Sequence, residues 1–299
     1  MSKQASSNEV ENTSSLQPLS LPFSNTSNDE IASKISKQTI MMAARYLPLD
    51  DPVIVEGLKS YNLVITGTVG AGKSTMCESI AYILRCIHPS LPIITYPEFL
   101  YINDSELSSN LLCKKFVGGV SATTFQSYVL DNWRFVLKQN EPWKHSGFKL
   151  FERCIDDTVI CFCNFENKEK RMSDLQLVSL YEDLKQLVNE FDIPTYFELQ
   201  PHEKNSHFTK IYSTDLNYNL QRVLSIISAD IANGITNRII GLSVESKTSK
   251  NRIILRNRDG ESGFTDEQII DYNDHYERLF NMLDHGKRIT RFVDIGALM

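Results

Sequence analysis

The feature that most constrains this 299-residue chain is a glycine-rich segment, Gly67-Thr68-Val69-Gly70-Ala71-Gly72-Lys73-Ser74-Thr75. An apolar run precedes it at residues 63–66, and a helical pattern follows to about Arg85. A strand, a glycine loop ending in Gly-Lys-Ser and a helix together are typical of a P-loop. The glycines let backbone N–H groups surround phosphate oxygens, where the helix N-terminus adds partial positive charge. The sequence therefore predicts a nucleoside triphosphate site.

Residues of this glycine loop (residues 67–75) have separate expected roles. Lys73 is expected to reach the β- and γ-phosphates of ATP, and the Ser74 hydroxyl is expected to bind Mg²⁺. The remaining cofactor-binding positions are Gly67, Gly70, Ala71, Gly72 and Thr75.

Composition and charge argue against several other classes of protein. The formal net charge of -6 does not suit non-specific nucleic-acid binding. Among six cysteines only Cys161 and Cys163 are close, without histidine partners, which favours free thiols in a reducing compartment. No apolar run approaches the roughly 18 residues of a membrane-spanning helix, and no signal peptide is evident. We expect a soluble, intracellular, cytoplasmic protein with neither nucleic-acid nor membrane partners.

The chain divides into three regions by composition. Residues 1–28 are rich in Ser and Asn and are predicted to be a disordered tail. Residues 29–60 are predicted to hold one appended helix, ending near Tyr46 and capped by Ser27 or its neighbour, and then a linker. Residues 61–299 are predicted to form a single domain around the glycine loop.

Short apolar strands alternate with helices through this domain. The predicted strands are 61–66, 91–95, 149–151, 195–199 and 291–295. The predicted helices are 74–85, 105–117, 122–138, 154–165, 173–191, 214–233, 252–258 and 265–284, with a polar stretch at 243–251. Such alternation indicates an α/β fold, a parallel β-sheet flanked by helices on both faces.

Charged residues follow several of these strands, where α/β proteins bind their ligands. Glu98, the pair Glu152-Arg153 and Glu198 lie at such strand ends. Glu152 is a candidate Mg²⁺ ligand, and Arg153 could balance charge on a transferring phosphoryl group. The structural alternative is a set of glutamates that only stabilise helix N-termini.

A basic segment near the C-terminal end supplies further cations. Arg252 and Arg256 share one face of a predicted helix, and Arg258 follows closely. An arginine-rich lid over the ATP phosphates is the functional interpretation. A solvated charged helix is the structural alternative.

In their order along the chain, these motifs resemble those of the deoxynucleoside kinases, including the animal enzymes and their viral relatives. The similarity runs over residues 61–199 and 252–295, most of the chain beyond the tail. Besides the glycine loop, the segments that match are Tyr96-Pro97-Glu98, Phe125-Gln126-Ser127-Tyr128, Phe151-Glu152-Arg153-Cys154 and the lid pattern Arg256-x-Arg258-x-x-Glu261.

The resemblance implies a P-loop kinase fold and a role for each matched residue. Glu98 would be the general base for the sugar 5′-hydroxyl, with Arg153 beside it. Arg256 and Arg258 would bind ATP phosphates within a lid at residues 252–262. The implied substrate-binding set is Glu98, Phe125, Gln126, Arg153, Phe162 and Glu261, with Phe125 and Phe162 on the two faces of the base and Glu261 on the 3′-hydroxyl.

The chain also departs from the family pattern. Pro97 precedes the glutamate instead of following it, Phe116 stands where the family has tyrosine, and Cys154 replaces a serine. Residues 201–251 are longer than the family's link between strand and lid, and we predict an enlarged insert outside the nucleotide pocket. A tail and an insert of this kind would suit a viral member acting in the host cytoplasm.

The function predicted from the sequence is Mg²⁺- and ATP-dependent phosphorylation of a deoxynucleoside at its 5′-hydroxyl. Two alternatives remain open. A nucleoside monophosphate kinase would need more basic residues near the substrate, where Lys114-Lys115 is the only basic pair. A relative without catalysis would bind nucleotide and use the tail and insert for interactions. The preferred base and the oligomeric state, commonly a homodimer in the family, stay open.

Overall fold

A parallel β-sheet of five strands forms the centre of the computed structural model, which describes residues 23, 26–98, 105–143, 146–196, 207–256 and 264–285. The described strands are β1 (Asn62–Gly67), β2 (Ile93–Tyr96), β3 (Phe148–Glu152), β4 (His207–Tyr212) and β5 (Asn237–Ser243). Their order is β2-β3-β1-β5-β4, and every pair is parallel. The predicted α/β architecture is confirmed.

Helices cover both faces of this sheet. The described α-helices are α1 (Asn28–Lys34), α2 (Lys37–Tyr46), α3 (Pro52–Leu58), α4 (Lys73–Ile87), α5 (Ser105–Phe116), α6 (Ala122–Gln139), α7 (Asn164–Lys168), α8 (Asp174–Phe191), α9 (Leu216–Ala232), α10 (Ser246–Arg256) and α11 (Asp266–Asp284). A 3₁₀ turn (Glu141–Trp143) precedes β3, and a π-helical turn (Thr158–Cys163) precedes α7.

Alternation along the strands divides the core into two layers. In β1, Val64 faces the layer formed by α6, α8 and α11, whereas Leu63 and Ile65 face the layer formed by α1 to α4 and α9. Both faces of the strand are therefore buried, as a parallel sheet requires. The predicted apolar stripe on α4 is confirmed, with Cys77, Ile80, Ala81 and Leu84 all buried.

The N-terminal region is more structured than the sequence suggested. The single helix predicted at 29–46 is wrong, because the region forms two helices, α1 and α2. Ile35 has an extended backbone conformation that ends α1, and the Ser36 side chain caps α2 by accepting a hydrogen bond from Thr39 N. Ser27 caps α1, as predicted. Phe23, inside the predicted disordered tail, is buried in the core layer with α1. Residues 26–28 of that tail lead into α1, and its remaining residues lie outside the described chain.

The segment 201–251 is also corrected by the structure. It contributes β4, α9 and β5, and β5 pairs directly with β1, so the segment is part of the sheet and not an appended insert. The polar stretch predicted at 243–251 forms most of α10, which begins six residues before the predicted helix at 252. Thr195 and Tyr196 are not in a strand, and the remaining residues of the strand predicted at 195–199 lie outside the described chain, as does 291–295.

Candidate functional site

The glycine loop joins the carboxyl end of β1 to the N-terminus of α4 at the centre of the sheet. Gly67, Gly70 and Gly72 have φ values of 143°, 76° and 92°. A Cβ on Gly67 would lie 2.5 Å from Leu242 O, and one on Gly70 would lie 2.7 Å from Ser249 O. These positions require glycine for space as well as conformation. The N-cap of α4 is Gly72, which has no side chain to satisfy the helix N–H groups, so they remain suited to an anion.

Lys73 and Ser74, the first two residues of α4, face the interior of the site. Lys73 Nζ donates to Thr68 O at 3.0 Å. Burial and the nearby Arg153 lower the pKa of Lys73 to about 8. Ser74 Oγ donates to Glu152 Oε1 at 2.6 Å, and burial together with the charge of Glu98 raises the pKa of Glu152. The two residues predicted to hold the metal are therefore in direct contact.

An ion pair between Glu98 and Arg153 stands beside this contact. Arg153 Nη2 and Nε donate to Glu98 Oε1 at 2.7 and 3.2 Å. The other arm of the guanidinium, Nη1, donates to Tyr276 Oη at 2.8 Å and to Gly67 O at 3.3 Å. Arg153 has a φ of 83°, unusual for a non-glycine residue. Register places Arg153 and Glu98 just after neighbouring strands, β3 and β2, which explains why they meet.

A buried aspartate under the site was missed by the sequence analysis. Asp157 is fully buried and accepts hydrogen bonds from Thr66 Oγ1 at 2.5 Å and Tyr196 Oη at 3.0 Å. Its carboxylate lies 3.8 Å from Arg153 Nη1, so its negative charge stabilises the guanidinium. Burial raises the pKa of Asp157. The sequence signal that could have indicated Asp157 is the pair Asp156-Asp157, which comes just before the apolar residues 159–162.

A pocket with aromatic walls opens next to this ion pair. It is lined by Phe125 and Gln126, from α6, and by Phe162, from the π-helical turn. Arg153 Cζ lies 4.9 Å from the centre of the Phe162 ring, and Gln126 is buried. The lining residues are Val69, Glu98, Leu112, Lys115, Phe125, Gln126, Val129, Arg153, Thr158, Phe162, Phe264 and Tyr272. The structure thus brings five predicted substrate residues together.

The predicted lid is described only in its first half. Arg256 ends α10 and is exposed, and its charge contributes to lowering the pKa of Lys73, after burial and Arg153. Arg258, Glu261 and the strand-end Glu198 lie outside the described residues.

Arg252, expected in the lid over the ATP phosphates, contacts the carbonyls of the glycine loop instead. Its Nη1 donates to Gly70 O, Ala71 O and Ser213 Oγ at 3.2 to 3.3 Å. Ser213 Oγ donates to Ala71 O at 2.7 Å, and Ser249 Oγ donates to Val69 O at 2.5 Å. Ser213 and Ser249 belong to the segment 201–251, so this segment packs directly against the glycine loop.

Replacing Arg252 by methionine is expected to weaken ATP binding about tenfold or more, because a charged donor to the loop carbonyls is lost. The loop would then be free to leave the conformation in which its N–H groups converge. Calorimetric titration with ATP measures this effect. Arg222→Met, at an exposed position on α9, is the matched control, and equal affinities in both variants would contradict the prediction.

The described residues offer few side chains that could bind a metal. These residues contain no group of three or more His, Cys, Asp or Glu side chains suited to a metal. All six cysteines are free, as predicted. The oxygen pair of Ser74 and Glu152 does fit Mg²⁺, a cation that takes one or two protein oxygens with water and phosphate oxygens completing its shell. No described helix has both the length and the apolar character needed to cross a membrane.

Comparison with known proteins gives distant structural similarity only. No family model matches the chain, and no curated protein matches it in sequence. A deoxyadenosine kinase from M. mycoides with bound dATP superposes with a TM-score of 0.45 at 18% identity, over 79% of this chain and 94% of that one. The same enzyme with bound dCTP gives 0.43 and 17%, over 79% and 95%. These similarities are too distant to establish a family or an activity.

Proposed function

We propose that this protein transfers the γ-phosphoryl group of ATP to the 5′-hydroxyl of a deoxynucleoside. The observation that carries the proposal is the ion pair of Glu98 and Arg153, which lies between the glycine loop and the aromatic pocket. A carboxylate at that point can accept a proton from a hydroxyl entering from the pocket. The guanidinium beside it can balance charge on a phosphoryl group arriving from the loop.

The pocket suits a neutral, flat substrate. Phe125 and Phe162 offer aromatic faces to a base, and the buried amide of Gln126 can donate and accept hydrogen bonds at the edge of the base. On the other side of Glu98, Lys73 and the N-terminus of α4 provide the positive charge that triphosphate needs. The arrangement separates a base site with aromatic walls from a cationic phosphate site, with the acid–base group at their boundary.

Mg²⁺, when bound with ATP, would neutralise charge on the phosphate oxygens. Ser74 and Glu152 are the residues that would hold it. Glu152 also accepts a hydrogen bond from Glu98 N at 3.4 Å, which links the metal-binding carboxylate to the segment that carries the base.

A phosphorylation screen tests this function directly. Purified protein, ATP and Mg²⁺ are incubated with each of the four deoxynucleosides and, separately, with their monophosphates. We expect product from at least one deoxynucleoside and none from Lys73→Ala protein. Product only from monophosphates would support the nucleoside monophosphate kinase, and ATP binding without any product would support the binding protein without catalysis.

Removing the pocket amide should change selectivity more than rate. Gln126→Ala leaves the base edge without a buried partner, at a cost of about 1–3 kcal/mol in binding. We expect KM for the preferred nucleoside to rise and the preference among bases to narrow, while kcat falls less. Steady-state kinetics with all four deoxynucleosides provide the measurement. Gln221→Ala, on α9 in the other core layer, is the control, and an unchanged base preference in Gln126→Ala would contradict the assignment.

ATP affinity should depend on pH through Lys73. With its pKa lowered to about 8 in the free protein, Lys73 is charged below that pH and loses its proton above it. Bound phosphate favours the charged form, so affinity should be constant below about pH 8 and fall by up to about tenfold per pH unit above it. Calorimetry across this range tests the prediction. Lys73→Arg, which keeps its charge, should show a flat profile, and a flat profile in the wild type would contradict it.

A further inference from the structure

A largely buried lysine lies in the wall of the pocket proposed for the base. Lys115, in the last turn of α5, lines the cavity together with Phe125 and Gln126. Only 11% of its side chain is exposed, and its Nζ lies 2.5 Å from Oε1 of Glu166, a residue of α7. The ammonium is also 5.3 Å from the centre of the Phe125 ring. The cation therefore lies against the aromatic wall on which a base would rest.

The partner of this lysine is held by a second cation. Arg171 Nε donates to Glu166 Oε2 at 2.6 Å, while Lys115 contacts the other carboxylate oxygen. Glu166 would thus keep one ionic partner if Lys115 were replaced. An ammonium has three N–H donors, so pairing with one carboxylate oxygen does not exhaust them. If Lys115 served only to balance the charge of Glu166, its side chain would not need to line the pocket.

The chemistry of an ammonium restricts which exocyclic group of a base it can contact. Lysine donates hydrogen bonds and accepts none, so it distinguishes bases at the position that carries a carbonyl in some bases and an amino group in others, and not at the ring acceptors that every base has. The amide of Gln126 contributes to reading the base edge but does not by itself fix this distinction, because it can turn its oxygen or its NH₂ group toward the base. A carbonyl oxygen on the base satisfies Lys115, whereas an amino group opposite Lys115 would place two donors against each other.

We propose that Lys115 makes this pocket select deoxynucleosides whose base carries a ring carbonyl, at position 4 of a pyrimidine or position 6 of a purine, over the corresponding amino bases. The inference rests on the proposed function, because it assumes that a base occupies the pocket. It assigns a substrate class: thymine, uracil, guanine and hypoxanthine are favoured, and adenine and cytosine are disfavoured. The balanced charge of Lys115 and Glu166 also suits a neutral base better than an anion.

Two matched ligand pairs test this selection by binding alone. Deoxyuridine and deoxycytidine differ at position 4, and deoxyinosine and deoxyadenosine differ at position 6. We expect the wild type to bind the carbonyl member of each pair about tenfold more tightly or better. Lys115→Met should reduce that ratio to within about threefold, because the selective donor is gone. Lys115→Arg retains a donor and should keep the preference, as should Lys114→Met at the exposed neighbouring position.

The outcomes separate this inference from the proposed function. Equal binding of carbonyl and amino members by the wild type, or an unchanged ratio in folded Lys115→Met protein, would overturn the role of Lys115. If Lys115→Met does not fold, the wild-type ratio and the Lys115→Arg ratio still decide. A carbonyl preference in binding without phosphorylation of any nucleoside would overturn the kinase and support the lysine. Phosphorylation without a preference for carbonyl bases would support the kinase and overturn the role of Lys115.

Discussion

Glu98→Gln is expected to lower kcat for nucleoside phosphorylation by about 10²–10⁴-fold, the usual contribution of a general base. Glutamine keeps the size of the side chain and an oxygen that can accept from Arg153, but it cannot take the proton of the attacking hydroxyl. Nucleoside affinity should change little, because the base contacts are made elsewhere in the pocket. Steady-state kinetics combined with calorimetry separate the two effects.

The matched control is Glu182→Gln on α8. Like Glu98, this exposed glutamate has a cationic partner, because Lys185 Nζ lies 3.6 Å from Glu182 Oε2. Its kcat should equal that of the wild type. A Glu98→Gln enzyme with a kcat within twofold of the wild type would show that Glu98 is not the base. Loss of nucleoside binding without loss of rate would show instead that Glu98 serves to hold the sugar.

Arg153→Lys is expected to lower kcat by about 10²–10³-fold, as removal of a positioned charge stabiliser does. The arginine reaches Glu98, Tyr276 and Gly67 O at once through its fork of donors, whereas a lysine offers a single charged point. Positive charge is kept, so the half-buried Glu98 and the buried Asp157 are not left without a cation. The loss should therefore fall on rate more than on folding.

Thermal unfolding and kcat measured on the same preparation check this expectation. Tyr276→Phe removes one acceptor from Arg153 and leaves the guanidinium in place. Its kcat should fall by about tenfold or less, in line with one hydrogen bond. If Arg153→Lys lowers the unfolding midpoint strongly while the folded fraction keeps its kcat, Arg153 is a structural residue and its catalytic role is wrong.

Local patterns predicted the centre of this molecule well. Three features were predicted from short spacings and lie where they were expected. They are the glycine loop, the apolar stripe on α4, and the charged residues at the ends of β2 and β3, namely Glu98 and Glu152-Arg153. The alternation of strands and helices also gave the parallel sheet. These features depend on residues close in sequence, where periodicity carries most of the information.

The features that the sequence did not predict, such as β4 and the contacts of Arg252 and Lys115, depend mostly on residues that are distant in sequence. β4 includes His207, Lys210 and Tyr212 and lies at the edge of the sheet, so it lacks the continuous apolar run of a central strand. The sequence placed Arg252 in a lid and Lys115 in a basic pair, but it did not show their partners on the glycine loop and on α7, because those partners are distant in sequence. Nothing in local spacing indicates that a cation faces a loop carbonyl or a pocket.

The position of β1 has a consequence for how the protein is made. β1 lies between β3 and β5, whose residues are synthesised roughly 85 and 175 positions later. The glycine loop also depends on Ser249 and Arg252, which follow β5. A nascent chain therefore cannot complete the central pairings or fix the loop until the ribosome has passed α10, and the apolar faces of β1 stay open to chaperones until then. The first element of the site to be translated is among the last to acquire its working shape.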